Sequence, residues 1–282
     1  MLRTLVDGGS FFEAPRWHDG RWWVSDFYRR TVFAIGAGGR AEAVMEVEGM
    51  PSGLGWMPDG SLLAVSMSDH RILRRRPDGA LSVHADLSEH CGGLLNDLVV
   101  DRHGRAYAGN FGFDLIAGEP ARPTVLMRVE PGGTATVAAT GLRFPNGALI
   151  TPDGRTLIVA ETFGGRLSAW TIAGDGSLHD HRVWARPAKP FSPDGCTLDA
   201  EGHVWVADAV GGRAARVAPG GPIVDEVRVP EGLQVFACQL GGDDGRTLLL
   251  CAAPDFDAHA RRDAREAVLL TTTVRVPHAG WP

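Results

Sequence analysis

The stretch RFPNGALITPDGRTLIVAET, residues 143–162, decides the fold. It joins two short apolar runs through Thr-Pro-Asp-Gly, the composition of a tight hairpin turn. At the head of the first run, Asn146 stands between a proline and a glycine. The same arrangement occurs five more times. EAPRWHDGRWWVSD turns at Gly20, SGLGWMPDGSLLAVS at Gly60 and LNDLVVDRHGRAYAGN at Gly104. PDGCTLDAEGHVWVAD turns at Gly202, and QVFACQLGGDDGRTLLLCA, with extra glycines before its turn, at Gly245. With Gly154 of the quoted stretch included, successive turns are 40, 44, 50, 48 and 43 residues apart.

A period of this length holding several short strands is that of a four-stranded antiparallel blade. One blade cannot bury its own faces, whereas six around an axis can, and the ring leaves few exposed edges. The expected fold is all-β, a six-bladed β-propeller formed by residues 1–282 as a single domain. The run before each turn is expected to be an inner strand and the run after it the second. EAVLLTTTVRV (266–276) reads as a strand of the last blade, and LRTLV (2–6) as its outermost strand, closing the ring. A β-sandwich, or two smaller β domains, explains the strands but not six turns at similar spacing.

The composition, 44% hydrophobic and 22% charged, is that of a globular chain with a real core. A net charge of -6 opposes a nucleic-acid or anionic-membrane surface. The arginine run Arg74–Arg76 leads into Pro-Asp-Gly and reads as an exposed turn. No apolar stretch approaches the roughly 20 residues of a membrane span, and the start lacks the features of a secretory signal. Cys91, Cys196, Cys238 and Cys251 show no CxxC spacing and are expected as free thiols in a reducing compartment. The expected location is cytoplasmic and the expected partner a small-molecule substrate; the sequence sets no oligomeric state.

Equivalent positions of a cyclic repeat lie on a circle about its axis. Seven or eight residues before the turns stand Glu13, Ser52, Asn96, Asn146 and Asp194, with Gln234 as the nearest counterpart in the sixth copy. Two carboxylates and two amides converging without a lysine or arginine repel one another unless a cation sits between them. Carboxylate and amide oxygens suit hard ions such as Ca²⁺, Mg²⁺ or Mn²⁺. Zinc and ferrous iron stay open, although the ring has no histidine or cysteine to favour them. The propeller is thus expected to hold a central metal site with one divalent ion and positions left for water and substrate. The alternative is a polar channel filled by ordered water, which Ser52 and Gln234 suit better.

FEAPRW (12–17), LLNDLVVDRHGR (94–105), FPNGALITPDGRTLIVAET (144–162) and SPDGCTLDAEGHVWVA (192–207) resemble the senescence-marker-protein / gluconolactonase / luciferin-regenerating-enzyme family. The resemblance runs over essentially the whole chain. It implies a six-bladed propeller whose central divalent metal activates hydrolysis of lactones and related esters. Carried over by motif, it implies Glu13, Asn146 and Asp194 as metal ligands, Asn96 beside them contacting substrate or, through water, the metal, and Asp194 as general base. One departure bears on the substrate. Sugar-lactone hydrolases of the family commonly carry arginine two residues before that second-motif asparagine, where this chain has Leu94. Phe111 and Phe113 stand where sugar-binding members have polar residues, and Ser52 completes the candidate substrate contacts. Phe12, Met50, Phe144, Phe163 and Phe191 flank the ring motifs, some of them expected to pack between blades.

The function expected is metal-dependent opening of a lactone, one less polar than a sugar lactone. The alternatives are a gluconolactonase-type sugar lactone hydrolase and a non-catalytic metal- or ligand-binding propeller. No GxSxG elbow supports covalent catalysis, and no glycine-rich phosphate loop supports nucleotide binding.

Overall fold

Each hairpin read from the sequence opens a four-stranded antiparallel sheet, and there are six such sheets. The structure, a computed structural model, describes residues 1–280. The inner strands are Phe12–His18, Pro51–Trp56, Leu95–Val100, Pro145–Ile150, Pro193–Leu198 and Gln234–Gly241, in blades 1 to 6. Each packs on the next, and the sixth returns to the first, so the ring is closed. Closure is made by the two ends of the chain: Arg3–Gly9 pairs antiparallel with Ala267–Thr273 as the outermost strand of blade 6. The chain is a six-bladed β-propeller.

Second strands such as LLAVS (62–66), VWVAD (204–208) and TLLLCAA (247–253) are apolar on both faces because neighbouring blades cover both. The apolar core accordingly falls into six clusters, one at each blade junction. Tyr107, Leu126, Leu157 and Trp170 join blades 3 and 4, for example, and Trp205, Leu248 and Leu270 join blades 5 and 6. The four cysteines are unbonded. Among the described residues no helix is long and apolar enough to cross a membrane.

In every blade the ladder between inner and second strands slips near the ring position. The slips fall between Pro145 and Ala148 in blade 4, Pro193 and Cys196 in blade 5, and Val235 and Ala237 in blade 6. A bulge bends its strand and re-aims a side chain. It also brings neighbouring inner strands close together. A Cβ on Gly147 would lie 2.6 Å from the Asp194 carbonyl oxygen, and one on Gly53 2.3 Å from the Leu98 nitrogen. Gly147→Ala is therefore expected to destabilise the fold by about 1–3 kcal/mol, read from denaturant unfolding. Gly174→Ala, with nothing within 4 Å, is the control and should leave the midpoint unchanged.

The connectors between second and third strands are four residues long in blades 1, 2, 4 and 5 (27–30, 67–70, 162–165, 209–212). In blades 3 and 6 they run over 111–123 and 254–266, the latter containing the one-turn helix Ala258–Arg261. These two blades face each other across the ring.

Candidate active site

The bulges deliver four of the six ring positions to one place. Glu13, Asn96, Asn146 and Asp194 line a single cavity of about 240 Å³ at the mouth of the central channel. Ser52 does not line it: the residue is 1% exposed, and its carbonyl accepts a hydrogen bond from Ser25 Oγ at 2.6 Å. The sixth position goes to Phe236 rather than Gln234. Gln234 Oε1 instead accepts from the Gly212 N–H at 2.9 Å, because the slip in blade 6 follows Val235 and shifts the register.

The hydrogen bonds around the ring orient its amides. Asn96 Nδ2 donates to the Pro145 carbonyl at 3.1 Å, which can only accept. Thr162 Oγ1 donates to the Pro193 carbonyl at 2.8 Å, so toward Asn146, 3.2 Å away, it must accept from Nδ2. Each nitrogen thereby makes one hydrogen bond within the protein, and neither amide oxygen receives a donor from the described residues. Glu13 Oε2 accepts the Ala14 N–H at 2.7 Å, which holds Ala14 at a left-handed φ of 48°. Asp194 Oδ1 is buried with no hydrogen-bond partner. A buried, unpaired carboxylate oxygen is costly, and such an atom in a cavity asks for a ligand.

Burial and then the Ala14 N–H, Asp97 and Arg16 act on Glu13, with the net effect of raising its carboxyl to about 8. Burial, followed by repulsion from Glu13 and Asp97, pushes Asp194 well above the ordinary carboxylate range. Arg16 does not neutralise the ring, since its guanidinium is spent elsewhere. It donates to Asp97 Oδ1 at 2.7 Å and to the carbonyls of Leu54, Pro15 and Leu98. The donor set of two carboxylates and two amide oxygens suits a hard divalent cation. Among the described residues no group of three or more His, Cys, Asp or Glu is placed to hold a metal ion. A metal-free form has a definite pH signature. A carboxyl whose folded pKa is raised binds more protons folded than unfolded, so stability falls as pH rises between the two values. Chelated protein should thus lose melting temperature between about pH 5 and pH 8, the window set by Glu13. Adding a divalent cation should restore it most at the alkaline end.

Above the polar floor the walls are apolar. Two residues before the ring positions come Phe11, Met50, Leu94, Phe144 and Ser192, and all five line the cavity. Phe144 (φ 60°) and Met50 (φ 68°) hold the left-handed conformation that turns them inward. Phe111 stacks on Phe144 with ring centroids 4.2 Å apart, Phe163 meets Phe144 edge-on at 5.0 Å, and Phe11 meets Phe236 at 4.7 Å. Phe113 is buried behind this wall, its ring 5.9 Å from Phe144 and 5.7 Å from Phe163, and does not line the cavity. Phe12 and Phe191 are buried in the blade junctions. Phe11, Phe27, Met67 and Arg262 also line the cavity, and none belongs to the motifs read above. An open depression of about 480 Å³ at the opposite ends of the inner strands of blades 4 and 5 has no comparable donor set. Its carboxylates, Asp153 and Asp199, accept hydrogen bonds from their own turns.

Residues 11–254 match the family described as the SMP-30/Gluconolactonase/LRE-like region. The chain belongs to this family. A pentonolactonase of Haloferax volcanii is 29% identical over 198 residues, 69% of this chain and 64% of its own length. A 6-deoxy-6-sulfogluconolactonase of Pseudomonas putida is 28% identical over 197 residues, 67% of this chain and 64% of its own length. The chain therefore spans less than two thirds of the length of these curated relatives. The crystal structure of regucalcin, a calcium-binding protein of Agrobacterium tumefaciens, matches with a TM-score of 0.83 and 22% identity. That match covers 100% of this chain and 96% of regucalcin, and it is a likeness of fold.

Proposed function

We propose that the chain is a metal-dependent hydrolase that opens a lactone less polar than a sugar lactone, at the ring formed by Glu13, Asn96, Asn146 and Asp194. The observation that carries the reading is the buried, partnerless Asp194 Oδ1 beside a second carboxylate and two inward amide oxygens. Glu13, Asn146 and Asp194 would hold a divalent cation, and the donor set fits one because it is all oxygen and carries two uncompensated charges. When bound, the cation supplies polarisation of the ester carbonyl and offsets the charge that develops on its oxygen.

The remaining steps belong to the chain itself. Asp194 accepts the proton of the attacking water through its carboxylate. Asn96, held by its Nδ2 bond to Pro145, presents an oxygen without a donor and orients a hydroxyl or water by accepting from it. The collar of Phe11, Met50, Leu94 and Phe144 holds the substrate body and excludes bulk water, which strengthens the charges at the floor. One water adds across the ester: the acyl carbon gains the hydroxyl, the ring C–O bond breaks, and the released alkoxide takes the proton that Asp194 accepted from the water. The product is a hydroxy acid, formed beside Glu13 and Asp194 at the floor of the cavity.

The names of the two curated relatives support lactone hydrolysis and favour a sugar lactone. Leu94 and the phenylalanine collar weigh against it. The test is hydrolysis of a lactone panel followed by acid release, before chelation, after it, and after return of each of Ca²⁺, Mg²⁺, Mn²⁺, Zn²⁺ and Fe²⁺. Activity indifferent to chelation removes the metal-dependent reading, and no activity on any lactone or ester favours a non-catalytic binding propeller.

A further inference from the structure

The cavity is not evenly charged. Its two carboxylates, Glu13 and Asp194, sit at the floor, and among its lining residues Arg262 is the one lysine or arginine. Arg262 is exposed at the mouth, in the long connector of blade 6 just after the helix Ala258–Arg261. Its guanidinium has no ion pair or side-chain hydrogen bond among the described residues. Three of the connector's four acids are engaged, and the fourth, Asp263, forms no ion pair with Arg262: Arg261 holds Asp255 at 3.1 Å and Glu266 at 2.6 Å. Asp257 accepts from the N–H groups of His259 and Ala260 at 2.8 and 3.2 Å. Burial raises the Tyr28 phenol while the Arg262 charge pulls it back, which sets both on the same stretch of wall.

Across the ring, the long connector of blade 3 brings Leu115 and Ile116 to the same cavity. Ile116 is 49% exposed and Phe256, on the facing connector, 56%. Apolar side chains left in water at a cavity mouth mark a contact surface for a ligand. The space therefore runs from a reactive floor, between two apolar jaws, to a single free cation.

We propose that the substrate carries a carboxylate at the end of its apolar body remote from the lactone, and that Arg262 binds this group. The inference rests on the lactone-hydrolase reading for what happens at the floor, but not for the anion site itself. With Glu13 and Asp194 at the floor offsetting the divalent cation, the guanidinium at the rim is the positive charge left unpaired for a carboxylate, so the charge layout fixes the substrate's orientation. A guanidinium recognises a carboxylate with two parallel hydrogen bonds, which a lysine cannot reproduce.

The test uses the metal-replete protein and a matched pair of probes, 4-phenylbutanoate and 4-phenylbutan-1-ol, titrated by calorimetry. The acid should bind about tenfold tighter than the alcohol, as hydrogen bonds to a charged group imply. Arg262→Gln should erase that difference and leave the alcohol's affinity unchanged. Arg262→Lys should keep part of it, and Arg265→Gln, whose side chain reaches only the Ala264 carbonyl, all of it. Equal binding of the two probes, no binding of either at millimolar concentration, or a preference that survives Arg262→Gln would overturn the proposal. The last result would place the carboxylate at the floor. Because binding is read without turnover, failure of lactone hydrolysis is seen separately, in the panel above.

Discussion

Asp194→Asn should lower kcat/KM for lactone hydrolysis by about 10²–10⁴-fold, the range typical of losing a general base. The substitution keeps the shape of the side chain and removes its charge and its proton affinity. Its second effect runs the other way. Metal-free protein buries Asp194 and Glu13 together, each disfavouring the charge of the other. Neutralising one should raise the melting temperature of chelated protein at pH 8, while the rise produced by adding a divalent cation shrinks. A merely structural aspartate would give the opposite sign, with lower stability in the absence of metal. Wild-type turnover in the asparagine variant would remove Asp194 from the mechanism, whatever the cation does.

The second large effect concerns substrate polarity. Each sugar hydroxyl pressed unpaired against Leu94 or the phenylalanine collar costs about 1–3 kcal/mol. Two such hydroxyls would separate an aromatic lactone from a sugar lactone by about 10²–10⁴-fold in kcat/KM. Dihydrocoumarin and δ-gluconolactone are suitable probes, since both carry a six-membered lactone and differ in what surrounds it. Leu94→Arg, which supplies the arginine that the family resemblance implies at this position, should narrow the ratio from both sides. Faster opening of gluconolactone by the wild type would show that the collar does not govern selection, and the sugar-lactone reading would replace the present one.

The fold was legible because a blade repeats. Turns at Gly20, Gly60, Gly104, Gly154 and Gly202 mark the same hairpin, and counting back from them reaches Glu13, Ser52, Asn96, Asn146 and Asp194. Periodicity located those positions but could not say which of them faces the cavity. Ser52 sits in an equivalent strand, yet it does not reach the cavity. In blade 6 the extra glycines before the turn spoil the count; Gln234 is the nearest polar counterpart, yet Phe236 lines the cavity. The collar was only half visible. Leu94 drew notice through its offset from Asn96, and the same offset applied to the other copies reaches Phe11, Met50, Phe144 and Ser192. Arg262 lies beyond this kind of reading, since it stands in a connector with no counterpart of similar length in four of the blades.

The clasp between Arg3–Gly9 and Ala267–Thr273 has a consequence for synthesis on the ribosome. The first strand of the ring acquires its neighbour last, after some 260 further residues have been added. During that wait it is an unpaired edge, open to association with other nascent chains. Its make-up answers the hazard: Arg3, Thr4 and Asp7 stay exposed even in the finished ring, and Gly8 and Gly9 weaken any premature ladder.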